Sequence, residues 1–213
     1  MNFVRARERM VEEQLVNRGI SDLGVLAAVS KIERHRFVDE ALQLRAYDDN
    51  PLPIGERQTI SQPYMVGLMT QALELRGHER VLEIGTGCGY QTAVLAELVA
   101  TVYTVERLAV LAAAARTTLE AVGYTNVVTR IGDGSLGWPE EGPFDAILVT
   151  AGTPQVPRPL VAQLGMGARL VFPIGEEELQ TLVRIRKEEQ GLQEEYFGDC
   201  RFVKLVGRYG WRR

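Results

Sequence analysis

The stretch VLEIGTGCGYQ, residues 81–91, decides the fold, because a short apolar run ends there in glycines and leads into a helical pattern. The apolar residues within 81–84 are typical of a buried parallel strand. Three alternating glycines, Gly85, Gly87 and Gly89, allow the backbone to turn sharply and to lie against a ligand without clashes from Cβ atoms. The stretch therefore predicts a strand, a tight turn that cradles a nucleotide, and a helix.

The spacing of these glycines restricts the nucleotide that the turn can hold. A dinucleotide-binding turn needs glycine at its first, third and sixth positions, and the sixth position counted from Gly85 is Tyr90. Glycine at the first, third and fifth positions instead suits a ligand without phosphates. Residues 102–106, VYTVE, form a second β pattern whose last residue, Glu106, comes 21 positions after Gly85. Such folds place a carboxylate there to hold a ribose diol, so Glu106 is our ribose candidate.

Two further strands are expected to bring polar residues to the same crevice. Residues 126–131 and 144–150 are β patterns followed by GDG at 132–134 and by AG at 151–152. Ligands of an open parallel sheet bind at the carboxyl ends of its strands, so these loops should line one crevice. Asp133 is then a candidate to accept a hydrogen bond from the exocyclic amine of a base. The alternative is an ordinary Asp-Gly turn residue.

The rest of the chain adds helices before this core and strands after it. We expect one domain over 1–213, made of a helical lead-in with an active-site loop (1–62), a cofactor-binding core (63–175) and a β-rich tail (176–213). The expected elements outside those already named are helices at 4–18, 21–30, 39–45, 63–75, 90–99 and 108–121, an irregular segment at 47–62, a strand at 168–174, a hairpin at 179–197 and a last strand at 201–206.

Composition excludes several classes of protein. The net charge of −4 gives no general attraction for phosphate backbones, so we expect no nucleic-acid partner. Apolar runs are interrupted by charge before they reach about 18 residues and the first residues lack a signal-peptide core, so we expect a cytoplasmic protein without a membrane partner. Cys88 and Cys200 have no neighbours at zinc spacing, so we expect neither a disulfide nor a metal site. A monomer is expected.

Ser61 has two possible roles in the irregular segment. Pro63 starts a helical pattern, so Ser61 stands near the beginning of that helix and could cap it. Long irregular segments in compact domains are often functional, so Ser61 could instead face the crevice. The residues alone leave both roles open.

The motifs together resemble the protein-L-isoaspartate O-methyltransferase family over nearly the whole chain. They are AYDD at 46–49, LPIG at 52–55, QTISQP at 58–63, the glycine turn at 81–91, YTVER at 103–107, GDG at 132–134, FDAILVTA at 144–151, RLVFPIG at 169–175, RFV at 201–203 and LVG at 205–207. Within this set, TISQP at 59–63 narrows a general S-adenosylmethionine site to this family. Two departures, Met166 and Lys204, bear on substrate affinity and not on the reaction type.

The resemblance implies a doubly wound, mostly parallel α/β sheet of the Rossmann-like class I methyltransferases. It also implies S-adenosyl-L-methionine as methyl donor, S-adenosyl-L-homocysteine as product, and isoaspartyl residues of damaged proteins and peptides as substrate. Ser61 takes the active-site position. The implied cofactor-binding residues are Thr59, Ile60, Glu83, Gly85, Thr86, Gly87, Gly89, Tyr90, Gln91, Glu106, Arg107, Gly132, Asp133, Gly134 and Thr150, and the implied substrate-binding residues are Ile60, Ser61, Val203, Leu205 and Val206.

The chemistry of this reaction agrees with the lack of His/Asp pairs and of metal-ligand clusters in the sequence. Methyl transfer from a sulfonium to a carboxylate joins a cation to an anion, and the carboxylate is ionised at pH 7 without a base. The reaction needs alignment and exclusion of water. A serine hydroxyl can orient the carboxylate with one hydrogen bond, the segment at 47–62 can act as a lid, and a strand near 203–206 can pair with the substrate backbone.

Other functions share part of this pattern. A dehydrogenase would need a small residue where Tyr90 stands. A nucleic-acid methyltransferase would carry Asn or Asp-Pro-Pro-aromatic after the fourth strand, where this chain has TAGTP at 150–154. A methyltransferase of small molecules or RNA is the alternative that shares the cofactor site. A binding module without catalysis is disfavoured by Ser61 beside an intact glycine turn.

Overall fold

The computed structural model describes residues 2–212 and contains one seven-stranded sheet and one two-stranded sheet. The strands of the large sheet follow the order β5-β4-β3-β6-β7-β8-β9. The strands are β1 (Leu52–Pro53), β2 (Thr59–Ile60), β3 (Arg80–Ile84), β4 (Thr101–Glu106), β5 (Val127–Ile131), β6 (Phe144–Val149), β7 (Leu164–Gly175), β8 (Gln180–Glu188) and β9 (Gly191–Cys200). The α-helices are α1 (Phe3–Arg9), α2 (Leu23–Lys31), α3 (Pro63–Ala72), α4 (Tyr90–Ala96), α5 (Ala109–Ala121) and α6 (Arg158–Ala162).

The order of the strands places a ligand crevice at the centre of the sheet. Strand β3 pairs in parallel with β4 on one side and with β6 on the other, and the chain runs outward to β5 before it returns to β6. Crevices form at such reversals, above the carboxyl ends of the central strands. Strands β7, β8 and β9 extend the sheet, the last two in antiparallel pairing. The predicted fold class is confirmed.

Strand β3 is buried on both faces, which explains its apolar composition. Val81 packs in the cluster that includes Val102 and Leu148, whereas Leu82 packs in the cluster that includes Ile147 on the other face. Alternate residues of a strand point to opposite faces, so a strand covered by helices on both sides needs apolar residues at consecutive positions.

The helical lead-in is less regular than its sequence pattern predicts. Helix α1 continues into a π-helical segment, Met10–Leu15, and a 3-10 turn, Val16–Arg18, before Gly19 ends it with φ of 90°. The segment predicted as a third helix is a 3-10 helix, Glu40–Arg45, whose first turn is capped by the Asp39 carboxylate accepting from the Ala41 N–H at 2.9 Å. Met10 and Leu15 of this lead-in, together with Phe37, belong to the same buried cluster as Tyr90 at the start of α4.

Two expectations about irregular regions are wrong in detail. The segment 47–62 contains a hairpin, in which β1 pairs with β2 and Leu52 lies opposite Ile60. The segment 201–206 is not a strand, because its backbone pairs with other segments at single residues, at Gly152 and at Trp211. The Val203 carbonyl accepts from Gly152 at 2.7 Å, and the Leu205 N–H donates to the Gly152 carbonyl at 2.9 Å, so only isolated bridges form.

Within residues 2–212 no helix combines the length and the apolar composition that crossing a membrane would require. The same part of the chain contains no group of three or more His, Cys, Asp or Glu side chains placed to hold a metal ion.

Candidate active site

The glycine turn adopts a backbone that side chains would prevent. The φ angles of Gly85, Gly87 and Gly89 are 98°, 55° and 89°, all in the region that favours glycine. A Cβ atom on Gly85 would also lie 2.4 Å from the Thr150 Oγ1 atom. Gly89 is the residue immediately before α4, so the turn delivers the chain directly into that helix. The sequence-based prediction of strand, turn and helix is confirmed.

Thr150 fastens the end of β6 to the glycine turn. Its hydroxyl lies 2.9 Å from the Ile84 carbonyl oxygen and 2.7 Å from the Gly85 carbonyl oxygen, and its N–H donates to Ile84 as well. The two central strands of the crevice are therefore held at a fixed separation at their carboxyl ends.

Glu106 supports the turn from the neighbouring strand and is nearly buried. One carboxylate oxygen accepts from the Gly87 N–H at 3.0 Å, and the other accepts from the Leu108 N–H at 2.9 Å. Each oxygen retains further acceptor capacity. Glu106 lines a cavity of about 70 Å³ together with the predicted residues Thr59, Gly85, Gly87, Arg107, Gly134 and Thr150. Its carboxylate is thus placed to accept hydrogen bonds from a ligand.

Glu83 lies beneath the turn, away from the crevice. It is fully buried, and one carboxylate oxygen accepts from the Thr92 and Thr104 hydroxyls at 2.5 and 2.7 Å. Thr86 joins this network through a 2.6 Å contact between its hydroxyl and that of Thr104. Burial raises the pKa of Glu83 to about 8, which outweighs the opposite effect of the two hydroxyls. Glu83 therefore supports the turn from below and lines none of the three cavities that meet at the crevice.

Asp133 already has protein partners for both of its carboxylate oxygens. One oxygen accepts from the Ser135 N–H at 2.9 Å and from its hydroxyl at 2.6 Å, and the other accepts from the Arg208 N–H at 2.8 Å. The two bonds from Ser135 fit the alternative role of a turn residue. The bond from Arg208 also ties Asp133 to the C-terminal segment. Recognition of a base amine by Asp133 stays a prediction. Gly134 lines the cavity, and a Cβ there would lie 2.5 Å from an Ile84 methyl group.

Ser61 does not cap the helix that follows it. The residue that precedes the first turn of α3 is Gln62, and its side chain makes no capping hydrogen bond. Ser61 instead lines two spaces. One is a cavity of about 40 Å³, whose lining also includes Ile60, Gly85, Thr86, Gly87, Tyr90 and Gln91. The other is a groove of about 580 Å³. Its position between them favours the crevice over the cap.

The groove is lined by the start of α3, by the loop before β8 and by the segment 199–204. It contains cationic and anionic side chains, which are Arg18, Arg201 and Lys204 and Glu177, Glu178 and Asp199. Val203 lines both the groove and the 70 Å³ cavity, whereas Leu205 and Val206 line the cavity alone. Of the predicted substrate residues, the structure therefore brings Ser61 and Val203 to the groove, and it places Ile60, Leu205 and Val206 on the inner cavities.

The two departures from the family pattern lie in different places. Lys204 lines both the groove and the inner cavity, and it forms an ion pair with Glu177 at 2.5 Å. Met166 lies near the beginning of β7, in a shallow pocket with Arg76 and Asp145. Because Asp145 stands near the start of β6, this pocket lies at the amino ends of the strands, whereas the crevice lies at their carboxyl ends. Lys204 alone of the two can touch a ligand in the groove.

The strand order, the glycine turn at the reversal of the sheet and the carboxylate at the end of β4 together define an S-adenosylmethionine-dependent methyltransferase with a Rossmann-like sheet. The model of the protein-L-isoaspartate(D-aspartate) O-methyltransferase family matches residues 5–210. The chain belongs to this family, and the methyltransferase class, the methyl donor and the fold predicted from the resemblance are confirmed.

Individual relatives agree with this assignment. A protein named protein-L-isoaspartate O-methyltransferase 1 from Syntrophobacter fumaroxidans is 58% identical over 99% of both chains. A solved protein-L-isoaspartate O-methyltransferase is 32% identical, with a TM-score of 0.86 over 96% of this chain and 67% of the other. A Plasmodium falciparum structure described as a putative member, in complex with S-adenosyl-L-homocysteine, is 26% identical with a TM-score of 0.81, over 94% of this chain and 98% of the other.

Proposed function

We propose that this crevice transfers the methyl group of S-adenosyl-L-methionine to the free α-carboxylate of L-isoaspartyl residues in proteins and peptides. The observation that carries the proposal is that the three spaces share lining residues and so lie side by side. Thr59 and Thr150 line the 70 Å³ cavity, the 40 Å³ cavity and the groove. A donor held at the glycine turn can therefore present its methyl group to a substrate that lies in the open groove.

The donor site is supplied by the turn and by the ends of the neighbouring strands. The proposed roles are a ribose contact for Glu106, which has acceptor capacity to spare, and van der Waals contact of the backbone with the donor at the glycines. The residues Thr59, Arg107, Gly134 and Thr150 close the same cavity. Tyr90 and Gln91 line the space next to Ser61, where the sulfonium end of the donor is expected.

The proposed role of Ser61 is orientation. Its hydroxyl can donate one hydrogen bond to the substrate carboxylate and aim an oxygen at the methyl carbon for in-line displacement. The carbon–sulfur bond breaks as the oxygen–carbon bond forms, and both charges disappear in the methyl ester and the S-adenosyl-L-homocysteine. Alignment of the two reactants and removal of water supply the rate enhancement, because no proton has to be transferred.

The hairpin of β1 and β2 is the proposed lid. A Cβ atom on Gly87 would lie 3.3 Å from the Ile54 methyl group, so the hairpin rests against the glycine turn. Gln58 and Thr59 of the same hairpin line the donor cavity. A lid in this position excludes water from the donor without blocking the groove.

The proposed biological context is repair of damaged proteins by a cytoplasmic monomer that uses neither nucleic acid nor a membrane. The groove can accept an extended peptide, with backbone pairing offered by the segment at 201–206. We propose that the helical lead-in (1–62), the cofactor-binding core (63–175) and the β-rich tail (176–213) act as one domain.

A direct test offers the full chain an isoaspartyl peptide beside an otherwise identical aspartyl peptide, with a methyl donor labelled on the methyl group. The expected result is label in a base-labile ester of the isoaspartyl peptide alone. Equal labelling of the two peptides, or labelling of neither, would contradict the proposed substrate.

A further inference from the structure

Arg34 is a buried cation behind the crevice, and the reaction described above does not use it. Its side chain is fully buried, at the start of the 3-10 helix Arg34–Phe37. Within residues 2–212 no carboxylate lies close enough to form an ion pair with it. Burial lowers the pKa of Arg34, but a guanidinium keeps its charge in proteins. A buried charge without a counter-ion is costly, so a specific arrangement must hold it in place.

The contacts of Arg34 converge on the segment that carries Ser61. The Nε atom donates to the Ala46 carbonyl at 2.7 Å, and a terminal nitrogen donates to the Ser61 carbonyl at 2.7 Å. Ala46 immediately precedes the segment 47–60, and Ser61 immediately follows it. One planar guanidinium therefore fastens both ends of the segment that forms the lid hairpin.

Arg34 also reaches the glycine turn. Its guanidinium carbon lies 4.8 Å from the centre of the Tyr90 ring, within the range of a cation–π contact. Tyr90 is the first residue of α4 and lines the 40 Å³ cavity together with Ser61. The remaining terminal nitrogen of Arg34 and the Tyr90 hydroxyl are both buried and lack a hydrogen-bond partner in the described chain. The cation thus connects the Ser61 segment with the turn that holds the donor.

We propose that Arg34 is a positioning residue for methyl transfer, which fixes the backbone of Ser61 relative to the glycine turn through its fork of hydrogen bonds. Arg34 lines none of the three spaces, so it touches neither the donor nor the substrate. Its effect must pass through Ser61 and the lid. The fixed geometry of the guanidinium makes it suited to this task, because two carbonyls bound to one planar group cannot move independently. This inference rests on the orienting role proposed for Ser61.

The test compares Arg34→Gln and Arg34→Lys with the full-length wild type. Arg34→Gln should lower kcat for the isoaspartyl peptide by about tenfold or more, the range expected when a charged hydrogen-bond donor is lost. The affinity for S-adenosyl-L-homocysteine, measured by calorimetry, should change much less than kcat. Arg34→Lys keeps the charge without the fork, so its kcat should also fall. Full activity in Arg34→Lys would overturn the role of the fork.

A matched control is available two residues away. Arg36 is partly exposed, its guanidinium lies 3.7 Å from the Glu33 carboxylate, and it lies outside the groove and both inner cavities. Arg36→Gln should leave kcat and donor affinity at wild-type values. If Arg36→Gln lowers kcat as much as Arg34→Gln does, the effect is a general one of charge in this segment and the proposal fails.

A double-mutant cycle with Ser61→Ala distinguishes positioning from a general structural role. If Arg34 acts through Ser61, Arg34→Gln should lower kcat much less in the Ser61→Ala background than in the wild type. Equal fold losses in both backgrounds, or equal losses of kcat and donor affinity, would overturn the proposal. Should Arg34→Gln not fold, the same cycle with Arg34→Lys decides the matter.

The outcomes also separate this inference from the function on which it rests. A wild type that does not methylate the isoaspartyl peptide contradicts both. A wild type that methylates it, with an impaired Ser61→Ala variant and a fully active Arg34→Gln variant, contradicts the role of Arg34 alone.

Discussion

The ribose role of Glu106 leads to a prediction that can be worked from its hydrogen bonds. Removal of the whole side chain in Glu106→Ala would lose both backbone contacts, to Gly87 at 3.0 Å and to Leu108 at 2.9 Å. Hydrogen bonds to charged groups contribute about 1.5 to 3 kcal/mol each, so the loss would be about 3 to 6 kcal/mol. Because native domains are stable by only about 5 to 15 kcal/mol, Glu106→Ala risks unfolding the protein and would not test ligand binding cleanly.

Glu106→Gln is the sharper perturbation, because it keeps the shape of the side chain. The amide oxygen can still accept from one of the two N–H groups, while the amide nitrogen faces the other and cannot accept. The expected cost in stability is therefore about half as large, roughly 1.5 to 3 kcal/mol. A ligand hydroxyl would also lose its hydrogen bond to a charged acceptor. We expect S-adenosyl-L-homocysteine to bind at least about tenfold more weakly.

The assay combines calorimetric titration of S-adenosyl-L-homocysteine with a thermal melt of the same preparation. A useful control is Glu97→Gln, because Glu97 pairs with Lys31 and lines none of the three spaces at the crevice. The control should bind the ligand like the wild type. A folded Glu106→Gln variant with wild-type affinity would show that Glu106 supports the turn without touching the ligand, and would refute the reasoning.

Three further predictions concern residues around the same turn. Ser61→Ala should lower the single-turnover rate of isoaspartyl methylation. Donor affinity and melting temperature should stay near wild type, since Ser61 does not cap α3. A lower melting temperature together with a full methylation rate would instead support the capping role. Asp133→Asn should reduce discrimination against a donor analogue that lacks the adenine amine, and equal discrimination in variant and wild type would leave Asp133 with its turn contacts alone. Glu83→Gln should flatten the dependence of stability on pH. The pKa of Glu83 in the folded protein is about 8, above its usual 4.5, so the folded protein holds a proton that the unfolded chain releases. The free energy of unfolding of the wild type should therefore fall as pH rises from about 4.5 to about 8. An equal dependence of unfolding free energy on pH in variant and wild type across that interval would contradict this.

The core of the fold and the place of the crevice could be predicted from local patterns. The run VLEIGTGCGYQ determines a buried strand and a turn by itself, because strand periodicity and the conformational freedom of glycine are properties of neighbouring residues. The distance of Glu106 from Gly85 then follows from the length of one helical crossover. The same local rules predicted the hairpin of β8 and β9 through the turn at 189–190.

Other features were mispredicted or missed because their causes are distant in the chain. The segment 201–206 has a strand-like composition, yet it pairs only at Gly152 and at Trp211, where it forms isolated bridges. The residues around Asp133 gave no sign that the backbone N–H of Arg208, 75 residues later, donates to one of its carboxylate oxygens. Nothing in the sequence around Arg34 indicates that it binds the carbonyl of Ser61.

The sequence by itself determined the strand, turn and helix at the centre of the sheet, the acid at the end of the next strand and, through its motifs, the family. The tertiary structure decided which of the implied residues meet at the crevice. In the folded protein Glu83 is buried beneath the turn, the Asp133 carboxylate accepts hydrogen bonds from Ser135 and Arg208, and Arg34 donates a hydrogen bond to the Ser61 carbonyl. The physical reason is that local backbone preferences act over a few residues, whereas burial and hydrogen-bond partners depend on segments brought together only when the chain packs.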